Sequence, residues 1–184
     1  MCRKPAIILF MLTGYAWQHA GAQLAGSSPF DAAPVGKQVP GIIECGENYE
    51  GNEAYDVKIT VAELVRGEKR VRKVLSGIPT PADGKDYVLT RIKFEYIARG
   101  RPGNCVHTVK VNHFTALAMS GEVYSRPSLT IPGPELVGPV KTGEIREGWI
   151  AFLVATDDPE PLMTFSVDDS GAVQHGGKLW FQLY

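Results

Sequence analysis

Cysteine is scarce in this chain: 3 among 184 residues, none of them in a C-x-x-C pair. That spacing leaves out a thioredoxin-like redox centre. Charge of one sign is equally scarce. The 19 basic and 20 acidic side chains balance to −1, and no block of like charges occurs, so the basic footprint of a nucleic-acid-binding protein is missing. No G-x-x-x-x-G-K-[ST] loop is present and no G-x-G-x-x-G opens a helix, which argues against a nucleotide site. No G-x-S-x-G occurs, so there is no α/β-hydrolase nucleophile elbow. Beyond residue 22 no apolar run reaches the roughly 20 residues that a spanning helix needs, so the mature chain carries no membrane span.

What is present begins with an export signal. Arg3 and Lys4 supply a positive start, and Ala6 to Trp17 form an apolar run broken only by Thr13 and Gly14. Ala20-Gly21-Ala22 follows as an A-x-A site, the layout of a secretory signal peptide over residues 1–22. Cleavage is placed after Ala22, leaving Gln23 as the new N-terminus. Cys2 precedes the apolar run and cannot serve as a lipobox cysteine, so the protein is expected to be secreted or periplasmic. Removing Arg3 and Lys4 leaves 17 basic against 20 acidic side chains, a mature charge of −3.

Two cysteines remain, Cys45 and Cys105. An even count in an oxidising space suggests a disulfide; the alternative is two thiols too far apart to bridge. Residues 23–53 hold many Gly, Pro and Ser and keep no period, which reads as a flexible leader ahead of a domain at 54–184.

Within that domain Val57, Ile59 and Val61 alternate with polar residues, the period of a half-buried strand. Val88, Thr90, Ile92, Phe94 and Tyr96 alternate in the same way against Leu89, Arg91, Lys93 and Glu95. Extended segments follow at Val106 to Val111, Phe114 to Met119 and, after a Ser120-Gly121 hairpin turn, Glu122 to Tyr124. Others lie at Ser128 to Ile131, Gly148 to Ala155, Leu162 to Val167 and Lys178 to Tyr184. Val61 to Val74 holds too many β-branched residues to read as a helix. Seven or eight short strands separated by Gly and Pro turns indicate an all-β, antiparallel β-sandwich.

The segments Tyr87 to Phe94, Val111 to Leu117, Ser120 to Tyr124 and Gly143 through Val154 resemble those of telokin-like, immunoglobulin-fold exported bacterial domains, a family related to a mycobacterial immunoprotective extracellular protein. The resemblance covers most of the mature chain. It implies an immunoglobulin-like sandwich and brings no catalytic residue to carry over.

Side chains able to do chemistry are few. Lys141-Thr142-Gly143 spells the K-T-G of penicillin-interacting enzymes, but the S-x-x-K and S-D-N that go with it are absent. His107 and His113 lie six positions apart; on one strand they would share a face across about 20 Å, too far for one ion. His175 stands alone. Asp157-Asp158 and Asp168-Asp169 are paired carboxylates at turns, where Asp is an ordinary residue, with no EF-hand spacing. Trp149, Trp180, Phe152 and Phe181 are expected in the core. No metal, cofactor or catalytic set emerges. The expectation is a non-enzymatic exported domain that binds a protein or a cell-envelope component, against a hydrolase of unfamiliar residue order or a small metal- or ligand-carrying protein.

Overall fold

The computed structural model describes residues 25–45, 53–100, 104–131, 133–167 and 172–184. The signal peptide expected over residues 1–22, the cleavage expected between Ala22 and Gln23, and Asp168-Asp169 lie outside the described residues. Ten strands are present: β1 (Gln38–Cys45), β2 (Glu53–Arg66), β3 (Lys85–Ala98), β4 (His107–Val109), β5 (Phe114–Leu117), β6 (Gly138–Val140), β7 (Ile145–Ala155), β8 (Leu162–Phe165), β9 (Ala172–His175) and β10 (Leu179–Gln182). One short helix, α1, spans Glu68–Val74. The strands form an antiparallel five-stranded sheet in the order β7-β3-β2-β1-β9, a three-stranded sheet β10-β8-β5 and a small β4-β6 pair. The protein is an all-β sandwich.

Alternation builds the core. Val57, Ile59 and Val61 sit opposite Tyr96, Phe94 and Ile92, and all six are fully buried. On the second sheet Phe114 and Leu179 flank Phe165, while Ala116 and Phe181 flank Met163. These inner faces meet in one cluster. Phe94 and Phe165 touch across the sheets with ring centroids 5.8 Å apart. Between them the faces exclude water, and burying each such ring contributes on the order of 2–3 kcal/mol.

A β-bulge between Val61 and Glu63 resets the alternation. One extra residue flips every later side chain to the other face, so Leu64 joins the main core and Val65 faces outward. There α1 lies against β3 and β2, and Val71, Leu75 and Ile78 join Tyr87, Leu89 and Ala151 in a second cluster. This second cluster explains why Leu89, on the outward-facing set of β3, is fully buried. It also corrects the absence of a helix after β2. The N–H of Glu68 donates to the Asp86 carboxylate at 3.0 Å, and Arg72 pairs with Glu68 one turn away; burial of Val71, rather than intrinsic propensity, holds so short a helix.

Two further expectations are corrected. Ser128 to Ile131 forms no strand, and Leu129 and Ile131 instead cover the second cluster. The flexible leader of 23–53 is folded over 25–45. Ser28 caps a single 3₁₀ turn at Pro29–Asp31, Ala33 bonds both sides of Phe181 on β10, and β1 pairs along its whole length with β2. Pro40 and Gly41 disguise β1 in the sequence. Pro40 stands opposite Lys58, at a position whose missing N–H would point away from β2.

Gly148 is sterically fixed. A Cβ there would stand 2.3 Å from the Leu136 nitrogen and 2.5 Å from the Pro134 oxygen. Gly148→Ala is expected to cost about 3 kcal/mol by forcing the 134–136 segment off β7, and Phe165→Ala about 3–5 kcal/mol through the cavity it leaves. Urea unfolding checks both; wild-type midpoints would contradict the packing described here.

Candidate functional site

The histidines are not where spacing alone puts them. His107 lies on β4, but the chain then tightens into a 3₁₀ turn at Val111–His113 and reverses toward β5. The rings of His107 and His113 therefore stack, centroids 5.4 Å apart, instead of standing about 20 Å apart. Both are buried. His107 also stacks on Phe94, and His113 meets the edge of Phe165. The Lys110 N–H donates to His113 Nδ1 at 3.3 Å. The pair belongs to the interior. His175 stands elsewhere, on β9, paired with Glu44 at 2.8 Å.

The other sequence candidates are also structural. In Lys141-Thr142-Gly143 the Thr142 hydroxyl accepts the Ala98 N–H and the Gly143 N–H donates to the Tyr96 carbonyl, so the K-T-G is a turn docked on β3. Asp158 accepts the Tyr124 hydroxyl at 2.6 Å and the Glu160 N–H at 3.0 Å, and Arg66 clamps the Ala155 and Asp158 carbonyls. Phe152 and Phe181 are fully buried, whereas Trp149 and Trp180 are only partly so. Trp149 lies on the outward face of β7 beside the second cluster, which corrects its placement in the core. Among the described residues no three His, Cys, Asp or Glu side chains converge as metal ligands.

Cys45 and Cys105 form a disulfide, Cα atoms 6.3 Å apart. It ties the end of β1 to the chain before β4. Beside it the Tyr55 hydroxyl donates to the Glu53 carboxylate, and the Cys105 N–H is shared between Glu53 and Tyr55 at 3.2 and 3.1 Å. The Tyr55 hydroxyl holds the Glu53 carboxyl below its ordinary range. Burial, then Glu53, pushes the Tyr55 phenol up. Burial is likewise the main cause that raises Tyr96, which stacks on Tyr55, and Tyr124, with Asp158 adding to the latter.

One opening has the character of a recognition site. β9 pairs with β1 only from Ile42 to Cys45. Ahead of Ile42 comes Pro40, which has no N–H to offer a neighbouring strand, and the chain leaves β9 through Gly176-Gly177 toward β10. A cleft of about 360 Å³ lies beside the uncovered part of β1, with Ala25, Val39, Pro40, Ile42 and Leu179 among its apolar lining. Gly41 allows the Leu179 side chain to lie against the strand, since a Cβ would stand 3.0 Å from Leu179 Cδ1. Asp56 and Arg99 line the rim as an ion pair at 2.8 Å, with His175 and Lys178 nearby.

No family model and no curated protein matches the chain. Two solved structures are similar at low levels. A candidate lipoprotein from Bacillus subtilis shares 13% identity over 68% of this chain, with a TM-score of 0.48; the chain spans 35% of that protein's length. The secreted protein MPT63 from Mycobacterium tuberculosis shares 15% identity over 82% of this chain and 95% of its own, with a TM-score of 0.44.

The cleft residues of β1 escaped the sequence because Pro40 and Gly41 interrupt its pattern. The signal that could have found them is the apolar set Val39, Ile42 and Ile43, closed by a cysteine.

Two outcomes follow. Replacing Cys45 and Cys105 by Ser is expected to cost about 4 kcal/mol for a separation of 60 residues; denaturant unfolding with and without reductant reads it, and equal midpoints would show that the sheet alone holds β1. A phenol whose folded pKa is raised favours the folded state below its unfolded value of about 10 and ceases to do so above it. Stability should therefore fall as pH rises past 10, with Tyr55, Tyr96 and Tyr124 ionising only as the near-ultraviolet circular dichroism collapses. Complete phenolate absorbance at 295 nm in a chain that keeps that signal would contradict their burial.

Proposed function

We propose that this chain is an exported, non-catalytic binding module that captures a protein or cell-envelope component at the cleft beside β1. The observation that carries this reading is the cleft's composition: an apolar floor beside an uncovered strand, with the Asp56–Arg99 ion pair on its rim. Asp56 is paired with Arg99, and His175 with Glu44. Recognition needs a concave apolar surface with a few orienting polar groups. General acid–base or nucleophilic chemistry needs a group kept available to the substrate, and Asp56 and Arg99 spend their charges on one another.

Further support comes from the chain around the cleft. Phe30, in the 3₁₀ turn just beyond the lining residues Ala25 to Ser27, is 86% exposed. A large apolar side chain held in water favours a docking role over a packing one. The disulfide suits an oxidising compartment, in keeping with the signal peptide read from residues 1–22. The resemblance of the strands to telokin-like exported domains points the same way and assigns no catalytic residue.

The test is capture from envelope extract with wild-type protein and with Ile42→Arg, which places a charge on the cleft floor at a partly exposed position. A component retained by the wild type and lost by a folded Ile42→Arg variant is the expected result. Equal retention, or turnover of a hydrolase substrate panel with no retained component, would overturn the reading.

A further inference from the structure

A second opening, of about 290 Å³, lies along β5 and is lined by Asn112, Thr115, Ala116, Val123, Tyr124 and Arg126. It forms at the edge of β5 away from β8, where only the short 122–124 segment pairs with the strand, through a bridge between Leu117 and Val123. The backbone there is satisfied piecemeal. The Tyr124 N–H donates to the Ala116 carbonyl, and the Arg126 guanidinium donates through Nη2 to the Phe114 carbonyl. The same guanidinium lies over the Phe152 ring, 5.9 Å from its centroid. Both contacts hold the group in place, and neither neutralises it.

Arg126 differs in this from Arg66, Arg72, Arg91, Arg99 and Arg146. Arg72, Arg91 and Arg99 are paired with carboxylates. Arg66 and Arg146 each clamp two or more carbonyls. Among the described residues no ion pair includes Arg126, and its one carbonyl leaves most of its five N–H donors uncommitted to protein. Loss of water contact alone lowers its pKa, with no acid offsetting it. A fixed, partly desolvated fork beside a hydroxyl and an amide suits a planar anion, which it can engage with two parallel hydrogen bonds. Val123, 64% exposed, adds apolar wall.

We propose that this pocket binds small organic carboxylates, with Arg126 taking the carboxylate, Asn112 and Thr115 orienting it, and Val123 covering a short aliphatic body. The site is separate from the cleft beside β1 and does not depend on the function assigned to it.

Amide chemical-shift titration of the protein tests this, with butyrate, neutral butyramide and inorganic phosphate as probes. Butyrate is expected to saturate, with shifts centred on residues 112, 115 and 123–126, and to bind at least tenfold more tightly than butyramide. Arg126→Met should abolish the butyrate response. Because that change also removes a donor from Phe114, Asn112→Asp supplies a second measure at an exposed position: a like charge at the rim should weaken butyrate about tenfold while leaving the melting temperature unchanged. Equal affinity for butyrate and butyramide, wild-type affinity in a folded Arg126→Met or Asn112→Asp variant, or shifts centred elsewhere would overturn the proposal. Tighter binding of phosphate than of butyrate would overturn the assignment to carboxylates.

Discussion

Phe94 on β3 and Phe165 on β8 face one another between the sheets, and the dry layer around them is the constraint on which the rest of the molecule is arranged. Each strand of the two sheets must present one face to that layer. β2 and β3 do so through strict alternation, and β5, β8 and β10 through a shorter version of it. The fit is dense enough that the rings of His107 and His113 are drawn into it as aromatic surfaces. Where a strand runs on past the layer, its pattern must change. The bulge after Val61 makes that change, and α1 then covers the outward face of the same sheet.

Once this layer is closed, most polar groups near it are committed. Asp158 holds Tyr124, Arg66 holds two carbonyls, Glu53 and Tyr55 share the Cys105 N–H, and the K-T-G segment serves as a turn. Chemistry of the acid–base kind calls for groups that remain available, and these do not. What stays open lies at the borders of the sheets, where β9 stops short of Pro40 and where only the short 122–124 segment covers the edge of β5. The binding role proposed above uses one of these borders, where the backbone ladder ends.

Legibility followed the physics of each segment. The inward residues of β2 and β3 could be read from period alone, because a strand buried on one face has no other way to place them. The hairpin at Ser120-Gly121 could be read from turn chemistry. β1 could not: Pro40 and Gly41 look like leader residues until β2 and the disulfide hold them in a sheet. Leu89 and Trp149 could not be assigned to an outer cluster without α1, whose helical state depends on that same cluster. Ser128 to Ile131 has the composition of a strand but finds no partner to bond with, and spends Leu129 and Ile131 on covering the outer face.

By itself the sequence determined the all-β class, the inward face of the long strands, the pairing partners left to Cys45 and Cys105, and the absence of any recognised catalytic motif. These are local or compositional properties, carried by two-residue periodicity, turn residues and simple counting. The tertiary structure alone decided that His107 and His113 stack, that β1 ends its partnership with β9 at Ile42, and that Arg126 meets a carbonyl and a ring but, among the described residues, no carboxylate. Each of these depends on which distant segments meet, and distance along the chain carries no record of that.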